Sequence, residues 1–159
     1  MGEALLLLDP NIVKWTHYGD GPLLDQLKES YPFAHFKGWI SNTDLKNELG
    51  GLACNALLIN TSISEGIPVS MMEAMSYGIP CIGTRVGGVP EIITDGFNGY
   101  LLTSNPEPGE ITEKINNWLK LPEEQKTIMK NNAFSFWERN YNGVKNYSEF
   151  TNLLLRLMG

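Results

Sequence analysis

Residues 56–84 read ALLINTSISEGIPVSMMEAMSYGIPCIGT, and this stretch decides the fold. Ala56-Leu57-Leu58-Ile59-Asn60 is apolar on both faces, the pattern of a strand buried in a parallel sheet. A loop runs from Thr61 to Pro68. Val69 to Tyr77 predicts a helix, and Gly78 stops it. Ile79 to Thr84 is the next strand. Strand, helix and strand at such close spacing make a βαβ unit.

The alternation extends in both directions. Upstream, Asn11 to Tyr18 is β-branched and aromatic and stops at Gly19-Asp20-Gly21-Pro22, which predicts a strand and a turn. Pro22 suits a first helical position, and Leu23, Leu24 and Leu27 give a helical stripe. Phe33 to Trp39 is a second short strand. Asn42 or Thr43 caps a third segment through Leu49, closed by Gly50-Gly51. Downstream, Gly87-Gly88 is a turn, Pro90 to Thr94 a short helix and Gly99 to Leu102 the last strand. Helices over 110–120, 123–138 and 143–158 complete the chain. The expected fold is α/β, a doubly wound parallel sheet of about five strands with helices on both faces. The length of 159 residues fits one domain over 1–159, all-helical from 110 onward. In such folds ligands bind beyond the carboxyl ends of the strands.

Composition narrows the function. Twelve Lys+Arg against 18 Asp+Glu give a net charge of −6, which argues against a nucleic-acid partner. Backbone N–H groups still allow a local anion site. Cys54 and Cys81 lie among apolar neighbours and read as buried thiols in a reducing cytosol. Two cysteines without companions make no metal site, and none is expected. The longest aliphatic run, Ala4 to Leu8, is too short to span a membrane and lacks the flanks of a signal peptide. No G-x-G-x-x-G follows a first strand and no P-loop is present, which removes the nicotinamide-dehydrogenase reading.

The chemistry concentrates between Ser62 and Glu91. Glu65 sits in a loop after a buried strand, and Glu73 sits one turn into the following helix. Gly66 allows close approach to the backbone, and Pro68 precedes the helix. The first-turn N–H groups, from Val69 to Met71, form an anion site suited to a diphosphate. At 100° per residue, Met71, Met72 and Met75 face the sheet while Ser70, Glu73, Ala74 and Tyr77 lie opposite. A carboxylate at Glu73 can accept from two vicinal hydroxyls, as on a ribose. The bland alternative is a glutamate that merely complements the helix dipole. His17 and His35 read as structural, and Glu91 as support for its own helix.

Glu65-x7-Glu73, set in Ser-Glu-Gly-Ile-Pro-Val-Ser-Met-Met-Glu-Ala-Met, resembles the signature of family 4 retaining glycosyltransferases with the GT-B fold. Gly78 to Ile93 and Asp95 to Leu102 are similar to the blocks that follow it, and His17 to Pro22 and Phe36 to Trp39 to blocks upstream. The resemblance covers roughly residues 12–120. It implies the Rossmann-like, nucleotide-sugar-binding C-terminal domain of a two-domain enzyme. By that resemblance Glu65 contacts the donor sugar or its adjacent phosphate, and is the catalytic candidate. Gly66, Ile67, Pro68, Val69 and Ser70 hold the diphosphate and sugar, and Glu73 binds the ribose. Trp39 and Ile40 flank the nucleobase, while Gly19 and Gly21 shape a nearby loop or are a simple turn.

The departures matter as well. The family carries an Arg and a Lys upstream of the Gly-Asp-Gly-Pro strand, and here that strand begins about ten residues into the chain. The expectation is a fragment lacking the parent's first strand, that cationic pair and the acceptor-binding N-terminal domain. Ala4 to Leu8 then reads as the end of the first helix. Lys37 and Arg85 are replacement cations by position only, or else solvated surface. The isolated chain is expected to be inactive and to need no cofactor. The parent is expected in the cytoplasm, peripheral at the inner membrane face, building surface polysaccharide or glycolipid. Leu153, Leu154, Leu155 and Leu157 are expected to be partly exposed and to favour self-association. The competing reading is a non-catalytic interaction module on the same fold.

Overall fold

The computed structural model describes residues 1–52 and 55–158, so the expectation for Cys54 lies outside the described residues. The chain forms two compact units, residues 1–52 with 106–120, and residues 55–105 with 121–158.

The first unit holds α1 (Gly2–Leu5), β1 (Thr16–Tyr18), α2 (Leu24–Ser30), β2 (His35–Gly38), α3 (Asn42–Leu52) and α6 (Pro108–Lys120). Strands β1 and β2 pair in parallel, with Thr16 opposite His35 and His17 opposite Phe36. An aromatic cluster lies along them. Trp15 meets His17, Tyr31, Phe33 and Phe36 with ring centroids 5.5 to 6.4 Å apart. His17 packs in this cluster against Trp15 and Phe36. Helix α1 packs on α6, whose stripe of Ile111, Ile115 and Trp118 is buried. The Thr112 hydroxyl donates to the Ala4 carbonyl at 2.9 Å.

Three expectations for this unit need correction. The strand from Asn11 begins only at Thr16, because Asp9 builds a turn. Its carboxylate accepts from the Asn11 N–H at 2.9 Å, and its carbonyl accepts from Ile12 and Val13. A side chain that captures its own backbone overrides the β-preference of Ile12 and Val13. Pro22 lies in the turn before α2 rather than in the helix. Ser41, not Asn42 or Thr43, caps α3, its hydroxyl accepting from the Asp44 N–H at 3.1 Å. With that start the helix runs through Gly50-Gly51 to Leu52.

The second unit holds β3 (Leu58–Asn60), α4 (Val69–Ser76), β4 (Cys81–Thr84), α5 (Val89–Ile92), β5 (Gly99–Leu102), α7 (Glu123–Asn140) and α8 (Gly143–Met158). Its sheet is parallel with order β3-β4-β5. Central β4 is buried along its whole length, whereas edge strand β3 is only half-buried. Cys81 is fully buried, and burial pushes its thiol pKa up. Helix α4 packs on α7 and β4.

The five predicted strands are all present and parallel, two in one sheet and three in the other. Upstream of β1 the described chain offers helix α1 and turns, so no further strand is there to pair. The buried face of α4 also differs. Met71, Ala74 and Met75 are buried while Met72 is half-buried. Positions i, i+3 and i+4 share a face, and Met72 lies about 100° from Met71.

Candidate functional site

The site in the second unit is built at the carboxyl ends of β3 and β4. Strand β3 ends at Asn60, and its side chain turns back on the loop that follows. The Asn60 amide donates to Glu65 Oε1 at 3.1 Å, and the Ser62 hydroxyl donates to the same oxygen at 2.8 Å. Asn60 Oδ1 accepts from the Ser62 N–H at 2.8 Å, which closes the loop on itself. The Ser62 hydroxyl first, and the Asn60 amide second, hold the Glu65 carboxyl below the usual glutamate range, against a smaller upward push from desolvation. Glu65 is thus a half-buried carboxylate kept ionised.

The loop is pinned from behind as well. Thr84, at the end of β4, is 1% exposed and donates its hydroxyl to the Ser62 carbonyl. The Gly88 N–H donates to the Gly66 carbonyl at 3.1 Å. Gly87 has φ +48°, a region that favours glycine. A Cβ there would overlap the Glu65 carbonyl. By contrast, a Cβ added at Gly66 would meet nothing within 4 Å, so this glycine opens space in front of the loop.

Buried Pro68 then delivers the chain into α4 with φ −65° and ψ 122°. Its carbonyl accepts from the N–H groups of Met71 and Met72. The N–H of Met71 is therefore satisfied inside the helix, a correction to its place in the anion site. The N–H groups of Gly66, Ile67, Val69 and Ser70 have no protein acceptor among the described residues. They sit at the helix end where the backbone dipole favours an anion. Val69 and Ser70 are exposed, Ile67 is half-buried, and Glu73 is half-buried in the next turn.

The remaining predicted residues lie in the first unit, beyond the ends of β1 and β2. Gly19, with φ +123°, donates its N–H to the Gly38 carbonyl at 2.8 Å, tying these two loops together. The Gly21 N–H donates to Asp20 at 2.7 Å. The Trp39 indole is 76% exposed, and Ile40 is half-buried. Lys37 is engaged by Glu48 at 2.9 Å. Glu48 also accepts from the Tyr18 hydroxyl at 3.0 Å. Burial first, then that bond and the Glu48 charge, push the Tyr18 phenol up to about 12. The same pair of donors, Lys37 foremost, holds Glu48 low.

The sequence pattern of the family described as glycosyl transferases group 1 matches residues 18–135. This chain belongs to that family. Among relatives of this chain, the N-acetyl-alpha-D-glucosaminyl L-malate synthase of Bacillus anthracis is 35% identical over 100 residues. That match covers 61% of this chain and 26% of the synthase. The UDP-Gal:alpha-D-GlcNAc-diphosphoundecaprenol alpha-1,3-galactosyltransferase of Escherichia coli is 25% identical over 143 residues, 88% of this chain and 36% of that enzyme. Among solved structures, Anabaena HepE in complex with UDP superposes with a TM-score of 0.78 at 23% identity. It covers 97% of this chain and 43% of HepE. The chain thus spans between a quarter and somewhat over two fifths of these relatives. Its fold is the Rossmann-like arrangement of GT-B enzymes, with a helical C-terminal extension.

No described helix is long and apolar enough to cross a membrane. Sequence reasoning named Glu65 but not its holders Asn60, Ser62, Thr84 and Gly87. The signal available was a cluster of small hydrogen-bonding residues around the loop, Asn60-Thr61-Ser62 and Thr84, in a chain segment otherwise rich in aliphatics.

Proposed function

We propose that this chain is the donor-site domain of a retaining glycosyltransferase and binds a nucleotide-diphosphate sugar. The observation that carries the reading is the row of unpartnered N–H groups at Gly66, Ile67, Val69 and Ser70, beside an ionised and fixed Glu65. Such a row is suited to a diphosphate. Negative charge developing on the leaving nucleotide diphosphate is stabilised by those dipoles without a resident metal. Glu65 contacts the donor sugar or its adjacent phosphate, and Pro68 sets the helix start. Glu73 accepts from the ribose hydroxyls. Trp39 and Ile40 flank the base, with Gly19 and Gly21 in the adjoining loop. Support for a sugar nucleotide comes from HepE, which was also crystallised with UDP-glucose.

The whole chain, 1–159, is in this reading one functional domain of a longer enzyme. Its partner is an acceptor-binding N-terminal domain, which the greater length of the relatives supports. The transferred group is a hexosyl unit and the acceptor a glycan or glycolipid, as the name of the Escherichia coli relative suggests. The work belongs to bacterial surface polysaccharide synthesis, in the cytoplasm at the inner face of the membrane. The chain by itself is inactive. Its exposed α8, which carries Leu153, Leu154, Leu155 and Leu157 on the surface, is available for self-association.

Isothermal titration of the folded chain with nucleoside diphosphates and UDP-glucose tests the reading. Saturable binding that Glu73→Ala weakens is the expected result. A folded chain that binds none of them ends it.

A further inference from the structure

We propose that Asn60, Ser62 and Thr84 are positioning residues that present the Glu65 carboxylate in one orientation, with Oε1 held by the protein and Oε2 left to the bound donor. The inference rests on the donor-site reading and assigns the residues that make Glu65 directional. A carboxylate on a flexible glutamate side chain rotates between equivalent oxygens, and each rotamer fixed on binding costs affinity. Here that freedom is removed before any ligand arrives.

Both donors converge on one oxygen. Asn60 Nδ2 lies 3.1 Å and Ser62 Oγ 2.8 Å from Glu65 Oε1, while Oε2 has no hydrogen-bond partner among the described residues. A carboxylate oxygen can take about two donors in its plane, so Oε1 is saturated and Oε2 is the open acceptor. The holders are themselves held. Asn60 stands at the end of β3, whose backbone is fixed by pairing with Gly83. Ser62 is fixed from both sides of its peptide. Its N–H donates to Asn60 Oδ1, and its carbonyl accepts from the buried Thr84 hydroxyl at the end of β4. Beyond Glu65, the Gly66 carbonyl is tied to the Gly88 N–H. Glu65 is therefore clamped between two points anchored to β4 and the turn after it. The lowered protonation tendency of Glu65 agrees with two donors on an ionised acceptor.

The test uses the chain of residues 1–159 and two readouts. The first is the titration of the Glu65 side-chain carboxyl by carbon NMR in the unliganded protein. The second is calorimetric affinity for UDP-glucose and for UDP. Ser62→Ala is expected to move the Glu65 midpoint up toward an ordinary glutamate, and Ser62→Thr, which keeps a hydroxyl, to restore the wild-type value. Ser62→Ala is expected to weaken UDP-glucose binding up to about tenfold, the cost of fixing on binding a Glu65 side chain that the hydroxyl no longer holds. UDP alone is expected to change by less than about twofold, since it lacks the sugar that Oε2 meets. Thr84→Val, which keeps the buried shape, is expected to lower UDP-glucose affinity in the same selective way. An unchanged Glu65 midpoint in Ser62→Ala overturns the proposal, as does an equal loss for UDP and UDP-glucose. A wild-type chain that binds neither ligand removes the donor-site reading and with it the role of Oε2. The NMR titration separates that failure from a failure of the clamp.

Discussion

Gly87 and Glu65 face each other so closely that the backbone of one excludes any side chain on the other. A Cβ on Gly87 would overlap the Glu65 carbonyl oxygen, and the backbone there has φ +48°. Gly87→Ala therefore meets two penalties, a left-handed conformation that costs an alanine about 1 kcal/mol and an overlap in a packed turn that costs about 1–3 kcal/mol. The expected loss is about 2–4 kcal/mol of unfolding free energy. Urea titration of the variant checks it, and a midpoint equal to wild type would show that the turn gives way freely.

Gly66 tests the opposite case. Nothing lies within 4 Å of where its Cβ would stand, and its φ is not in the left-handed region. Gly66→Ala is expected to leave stability within about 0.5 kcal/mol. It is expected to lower affinity for a nucleotide sugar by about tenfold or more, because the added methyl enters the open space beside a predicted diphosphate-holding residue. Thermal unfolding and calorimetry on one sample separate the two effects. A variant that binds as well as wild type places the ligand elsewhere.

Glu73 is the predicted ribose acceptor, half-buried in α4. Replacing it by alanine removes hydrogen bonds to a charged group, worth about 1.5–3 kcal/mol, or about a tenfold to a hundredfold loss in affinity. The diagnostic comparison is with a dideoxyribose analogue of the same nucleotide. That analogue is expected to bind wild type and Glu73→Ala alike, since the partner hydroxyls are gone from both. An equal loss for both nucleotides would assign Glu73 a structural role only.

How much of this was legible in the sequence depended on how local the cause was. The β3-α4-β4 unit follows from aliphatic runs broken by Gly66, Pro68 and Gly78, and helices α6 and α8 have a clear apolar face whereas α7 has almost none. The failures came where a side chain competed with backbone preference. Asp9 turned a β-branched stretch into a turn, and Ser41 took the cap that Asn42 and Thr43 also fitted. On α4, Met71, Met72 and Met75 look alike in composition, but Ala74 rather than Met72 is the residue buried beside Met71 and Met75. Glu65 is legible through the resemblance of Glu65-x7-Glu73 to a family signature, in a loop that follows a buried strand. Its anchor at Thr84 was not found, because that hydroxyl reaches Ser62 across 22 positions of chain.

The pH dependence of stability carries the sign of the Glu65 shift. Its folded-state pKa lies below that of an unfolded glutamate, so the folded state binds fewer protons through that window. The stabilisation from Ser62 and Asn60 is fully present above the unfolded value of about 4.3. It is lost as pH falls from there through the folded value. Glu65→Gln is expected to flatten that part of the acid limb, measured by denaturant midpoints from about pH 5 downward. Tyr18 acts at the other end. Its phenol is raised from 10.0 to about 12, so its stabilisation is lost as pH rises through that interval. Tyr18→Phe is expected to remove one slow-rising step from the ultraviolet titration of the tyrosines. A wild-type minus variant difference curve centred near pH 10, rather than near 12, would contradict the Tyr18–Glu48 bond.

Helix α8 has no buried residue along its length from Gly143 to Met158. Tyr147, Phe150, Leu154 and Leu157 recur at spacings of three and four, which is one helical face, and each is at least 42% exposed. A contiguous apolar face of this kind is stabilised when another surface removes it from water. With the chain alone in solution, the available surface is a second copy. Sedimentation equilibrium is expected to give a weight-average mass that rises with concentration. Leu154→Glu with Leu157→Lys is expected to return it to the monomer value, while the far-ultraviolet circular dichroism stays unchanged because no core contact is lost. A wild-type chain that stays monomeric at every concentration leaves self-association through α8 without support.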